Sequence, residues 1–140
     1  MHTYETKLAV AKQFHAALTR RDWQAIRELL TDDATWILPG DNRISGPAVG
    51  ADAVVARAEL IASFGLNFEL KHILVSRDNV ALSLHNTARR EHLVLDEHLA
   101  TVCTLREGKI AAIETYLSDL PGMNAFFARS LLLDSPIGAA

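Results

Sequence analysis

Proton transfer beside a carbonyl needs a carboxylate or imidazole held in a dry pocket, with hydrogen-bond donors facing the charge that develops. Three residues in the C-terminal half could supply the first: His72, Glu97 and Asp119. Asn86 and Thr101 could supply the second, since an amide or hydroxyl can donate to an oxyanion but cannot act as a base near neutral pH. His72, Asn86, Thr101 and Glu97 interrupt runs where every second residue is apolar. A polar group on such a face is costly to bury unless it is hydrogen-bonded, within the core or to a ligand. The expected catalytic set is therefore His72 or Asp119 to move the proton, with Asn86 and Thr101 to stabilise an enolate.

Other constellations lead elsewhere. His92, Asp96 and His98 share one strand face in "EHLVLDEH". That face is the polar one, and neither H-x-H nor HExxH occurs, so no metal site is expected. No P-loop, GxGxxG or G-x-S-x-G motif is present, and no cofactor is expected. Cys103 is the sole cysteine, which excludes an intrachain disulfide and reads as a small core residue. His85 and His98 point outward and read as surface or interface groups.

The elements that must position these residues follow from hydrophobic period. Ala11, Phe14, Ala17 and Leu18 recur at helical spacing. Asp22 is a good N-cap for a second helix with Trp23, Ile26, Leu29 and Leu30 on one face. "DATWIL" reads as a short strand that places Trp36 and Leu38 on its inward side. "ADAVVARAELIASF" reads as a third helix, with Gly65 beyond its end. The period then falls to 2, predicting strands over about 66–76, 79–90, 92–106 and 109–119. Alternation puts Leu66, Phe68, Leu70, His72 and Leu74 on one face, barring a bulge near Ile73. It groups Val80, Leu82, Leu84, Asn86 and Ala88, and likewise Leu93, Leu95, Glu97, Leu99, Thr101, Cys103 and Leu105. The last strand stays open. A two-residue Glu107-Gly108 turn buries Ile110, Glu114, Tyr116 and Ser118, whereas a bulged turn buries Ile113, Thr115, Leu117 and Asp119. "LPGMNAFFARSLLL" reads as a closing helix. Helices followed by a strand meander give an α+β class with an antiparallel sheet.

The chain has 140 residues, 49% of them hydrophobic, enough for one core and an apolar cavity or subunit interface besides. A net charge of -3 argues against a general nucleic-acid binder. Arg20-Arg21 and Arg89-Arg90 read as solvated turn residues. No apolar run approaches the roughly 20 residues needed to cross a bilayer. The N-terminus reads as a charged amphipathic helix rather than a signal peptide, so a cytoplasmic location is expected.

Three segments together resemble the SnoaL-like branch of the nuclear-transport-factor-two-like superfamily, which also holds ketosteroid isomerases: "RRDWQAIRELLTDDATWILPG", Gly46 and Gly50 in the next loop, and "LREGKIAAIETYLSD". The resemblance covers roughly residues 5–128. One such domain is expected over 1–133, and the terminal residues 134–140 read as a flexible tail. The resemblance implies a cone, a curved sheet wrapped around N-terminal helices with a deep apolar pocket, and a homodimer formed through the sheet. In ketosteroid isomerases the general base would fall on Leu38, the hydroxyl donor on Phe14 and the protonated acid on Thr101, so the familiar catalytic set is absent. The resemblance places Leu99, Cys103, Ile113, Thr115 and Leu117 in the pocket wall. With Phe14, Leu18, Trp36, Leu38, Leu82, Leu84 and Glu97 these complete the expected pocket. SnoaL-like cyclases often carry an acid two residues after the last-strand tyrosine. Here that position is Ser118, with Asp119 one further on.

Two functions follow as expectations. One is an isomerase- or cyclase-like enzyme acting on a hydrophobic carbonyl compound. The other is a non-catalytic module that holds such a compound. A dimeric interaction domain with a filled core is a third possibility.

Overall fold

The computed structural model describes residues 2–129, so the expected tail over 134–140 lies outside the described residues. Four helices, α1 (Tyr4–Arg20), α2 (Trp23–Leu29), α3 (Ala51–Ala62) and α4 (Leu120–Phe126), accompany six strands. The strands are β1 (Leu30–Leu38), β2 (Gly46–Val49), β3 (Asn67–Val75), β4 (Asn79–Arg90), β5 (Leu93–Arg106) and β6 (Lys109–Leu117). They form one sheet in the order β2-β1-β6-β5-β4-β3. This is the expected α+β class. Hairpins make the β3-β4-β5-β6 meander antiparallel, but β1 joins β6 in parallel, because the chain returns to β1's edge only after the meander.

Local chemistry sets the helix ends. Asp22 accepts the Ala25 N–H as the α2 cap, as its position predicted. Thr3 does the same for α1 through the Thr6 N–H. Along α1, Val10, Ala11, Phe14, Ala17 and Leu18 are buried, one stripe at helical spacing turned to β3 and β4. Lys7 is also buried, because its ammonium donates to the Ser76 and Arg77 carbonyls at 2.7 and 2.8 Å.

Two bulges decide which side chains face the helices. In β3 the pairing steps from Leu70↔Leu84 to His72↔Ser83, leaving Lys71 without a partner. Parity flips there. Phe68 is buried and Ile73 half-buried, while His72 and Leu74 are exposed. In β6 both alternatives for the last strand contribute. Glu107 (φ 53°) and Gly108 (φ 81°) make the two-residue turn and Ile110 is fully buried. A shift between Leu105↔Ile110 and Thr104↔Ala112 then leaves Ala111 extra, and the buried set becomes Ile113 and Thr115.

Three boundaries differ from the sequence reading. β2 pairs with β1 where a loop was expected, with Trp36 opposite Ala48 and Leu38 opposite Gly46. β1 begins at Leu30. The closing helix stops at Phe126, and residues 130–133 of the expected helix lie outside the described residues.

Candidate functional site

A cavity of about 40 Å³ lies between the sheet and the helices. Phe14 and Leu18 of α1, Ala58 and Ile61 of α3, and Met123 of α4 with the following Phe127 form its helical side. Trp36 and Leu38 of β1, Phe68 of β3, Leu84 and Asn86 of β4, and Leu99 and Thr101 of β5 form the sheet side. Ile44 and Leu66 close it from loops. The volume is far below the roughly 300–1,000 Å³ of a drug-sized site. As it stands, the cavity suits a compact ligand.

Only two wall residues are polar, Asn86 and Thr101, and each is at least nine-tenths buried. Asn86 Oδ1 has no hydrogen-bond partner. A buried acceptor left in that state costs about 1–3 kcal/mol, so this atom is the strongest polar signal in the wall. Directly across the β4–β5 ladder stands Glu97, 1% exposed. Its Oε1 accepts the Asp119 backbone N–H at 2.8 Å, while its Oε2 has no partner. Burial pushes the Glu97 carboxyl above its ordinary value. The Asp119 N–H bond pulls it down, and the Asp119 charge pushes it up again.

Two expected catalytic residues lie elsewhere. His72 is exposed on the far face of β3, because the Lys71 bulge reverses its side. Asp119 is exposed and caps α4, its Oδ1 accepting the Gly122 N–H at 3.0 Å. β6 has ended at Leu117, so no register can bring Asp119 inside. Neither residue reaches the cavity.

Phe14, Leu18, Trp36, Leu38, Leu84 and Leu99 line the cavity as expected. Leu82, Cys103 and Ile113 are buried in the core but absent from the wall, and burial pushes the Cys103 thiol up to about 12. Thr115 accepts the Trp36 indole N–H at 2.9 Å and so positions the wall without joining it. Leu117 is half-buried beyond it, and Glu97 stands beside Asn86 on the inner face of the sheet but outside the cavity wall.

The sequence reading missed Ile44, Ala58, Ile61, Leu66, Phe68, Met123 and Phe127. Strand parity had already put Leu66 and Phe68 on the inner side, and the spacing of Ala58 and Ile61 on α3 was a usable signal. Ile44 had none, because its place depends on the loop over 39–45. There Asn42 is fully buried and donates through Nδ2 to Asn124 Oδ1 at 2.8 Å, while its own Oδ1 accepts the Ile44 N–H at 2.9 Å. Arg57 of α3 donates to the Trp36 carbonyl at 3.0 Å, joining α3 to β1. Arg90, expected in solvent, is half-buried. It donates to the Phe126 carbonyl at 2.9 Å and lies over the Phe64 ring.

On the outward face of the sheet, His85 and His98 stack with ring centroids 4.1 Å apart. His85 Nε2 donates to Asp96 Oδ1 at 2.5 Å. That bond raises the imidazole above its ordinary value and lowers the carboxyl. Among the described residues, these three form the one group that could offer a metal ion convergent ligand atoms, all within 4.8 Å of one another. His85 takes the place that His92 held in the sequence grouping, because strand pairing sets it directly opposite His98.

Comparison with known proteins agrees with this architecture. A model of the SnoaL-like domain matches residues 11–113. Bal32a, from a soil-derived mobile gene cassette, superposes with a TM-score of 0.84 at 27% identity, covering 88% of this chain and 97% of its own. An NTF2-like protein from Burkholderia xenovorans LB400 has a TM-score of 0.77 at 20% identity, covering 91% and 98%. A proposed SnoaL-like polyketide cyclase from Jannaschia sp. CCS1 has a TM-score of 0.73 at 15% identity, covering 93% and 99%. No helix of the described residues is long and apolar enough to cross a membrane.

Proposed function

Since the chain belongs to the SnoaL-like domain family, we propose that it binds a compact hydrophobic carbonyl compound in the cavity between its sheet and helices. The observation that carries this reading is the wall itself, apolar but for Asn86 and Thr101. An apolar chamber with a few convergent polar groups orients a small ligand and selects it by its polar atom. No residue of the wall can move a proton near neutral pH, so holding the compound is favoured over converting it.

The second reading is an isomerase- or cyclase-like enzyme. His72 and Asp119 no longer serve it, and Glu97, a buried acid directly beside Asn86, is the observation that keeps it open. Prolonged incubation with compact ketones, from acetone to cyclohexanone, separates the two. Recovery of a saturably bound ketone unchanged supports the binding module, whereas enolisation, read as deuterium exchange beside the carbonyl, supports the enzyme. The absence of saturable binding across the series contradicts both.

A second copy of the chain is the partner we propose for the outer sheet face. Ile37, Val49, Leu74, Val94 and Tyr116, spread over five strands, are all more than half exposed.

A further inference from the structure

Asn86 and Glu97 are direct partners in the β4–β5 ladder, so their side chains leave the same face with Cβ atoms roughly 5 Å apart. Both are nearly inaccessible to water. Each has one oxygen without a partner, and these are the two buried orphan side-chain atoms among the described residues. Two lone acceptors side by side in a low-dielectric wall are poorly matched. One proton between them would satisfy both.

We infer that Glu97 is carried as the neutral acid and that its Oε2–H donates to Asn86 Oδ1. Glu97 is then a positioning residue. Its Oε1 stays on the Asp119 N–H, which fixes the carboxyl group. Its Oε2–H fixes the Asn86 amide, whose remaining polar group, the Nδ2 amine, is left to serve the cavity. The wall therefore offers a donor, and the matching ligand carries an acceptor such as a ketone oxygen. This last step rests on the binding function proposed above, but the placement of the proton does not.

The surroundings favour the neutral form. Burial raises the carboxyl most, and the one charge acting on it, the Asp119 carboxylate, raises it further, while hydrogen bonds from the Asp119 N–H and from Ser118, whose hydroxyl donates to Oε1 at 3.5 Å, oppose them. From β4 it faces the uncharged Asn86, and Arg90 further along β4 is bonded to the Phe126 carbonyl. In α4 the first turn carries no charged residue beyond the Asp119 cap. A folded value above the unfolded one means that the native state holds more protons between the two. Glu97 therefore makes stability fall as pH rises from the ordinary glutamate value, about 4, through its raised folded value.

The test is a carboxyl-carbon NMR titration of the unliganded full chain labelled with ¹³C-glutamate, with E97Q used to assign the signal. We expect the Glu97 carbon to keep the shift of a protonated acid at neutral pH. E97Q, whose new amide can still donate to Asn86, should lose the fall in stability with pH and bind cyclopentanone within about twofold of wild type. E97L, which cannot donate, should bind it about tenfold more weakly, near 1.4 kcal/mol. A Glu97 carbon already ionised at neutral pH overturns the inference, since the Asn86 amide would then be turned to donate to a carboxylate. If the acid is neutral but no ketone binds, the inference stands and the proposed ligand class falls.

Discussion

The indole N–H of Trp36 donates to the Thr115 hydroxyl 2.9 Å away, joining the parallel strands β1 and β6 inside the core. This one bond positions the largest side chain of the cavity wall. It also explains why Thr115, expected in the wall, stands behind it.

Thr115→Val keeps the shape and removes the acceptor. A buried indole N–H without a partner should cost about 1–3 kcal/mol of stability, read by urea denaturation followed through tryptophan fluorescence. A loss below about 0.5 kcal/mol would mean that the indole finds another acceptor.

Gly40 is held at φ 112°, where an added Cβ would lie 2.6 Å from Asn124 Oδ1 and 2.9 Å from Asn42 Nδ2. Asn124 Oδ1 already accepts from Asn42 Nδ2 and the Asp41 N–H, so it cannot move without breaking both bonds. Gly40→Ala should therefore destabilise by about 2 kcal/mol or more. It should also disturb Ile44, visible as shifted methyl resonances at the cavity. An unchanged midpoint in urea would contradict the part assigned to this loop.

His85 binds its proton more tightly when folded, first because of the Asp96 hydrogen bond. Its stabilisation is thus complete below the unfolded histidine value, about 6.5, and is lost as pH rises through the raised folded value. In Asp96→Asn the ¹H NMR titration of His85 should fall toward the ordinary value. The stability gap from wild type should be widest in mildly acid solution, where Asp96 is ionised and His85 protonated, and should close in alkali and again in strong acid as Asp96 takes its proton. A gap independent of pH would show that the stacked histidines, rather than the ion pair, hold this patch.

The extent to which the site could be read from sequence depended on backbone register. β4 and β5 pair over twelve consecutive positions without a shift, so alternation alone put Asn86, Thr101 and Glu97 on the inner face. β3 and β6 each contain one extra residue, Lys71 and Ala111, and no composition signal marks either. The first turned His72 outward. The second let both readings of the last strand hold in part. The helix cap at Asp22 was legible because it depends on neighbouring residues only, whereas α3 ends at a Ser63 cap, two residues before the expected Gly65. Ile44 was not, because contacts between the loop over 39–45 and residues 124 and 127 fix its place.

Asn86→Leu keeps the size but removes the acceptor of the Glu97 Oε2–H. A buried O–H left without a partner should cost about 1–3 kcal/mol of stability, read by urea denaturation. The double variant Asn86→Leu/Glu97→Leu, which removes both polar groups, should recover most of that loss. Unchanged or raised stability in Asn86→Leu alone would contradict the bond between the two side chains.

The central claim is that Asn86 holds the carbonyl of a compact apolar ligand inside this cavity. Titrating ¹⁵N-labelled protein with cyclopentanone, while following the Asn86 side-chain amide, tests it most directly. The account predicts a saturable shift of that amide in the wild type and no saturable binding in Asn86→Leu. Saturable binding of equal strength in both proteins, or none in the wild type with any ketone from acetone to cyclohexanone, would contradict it.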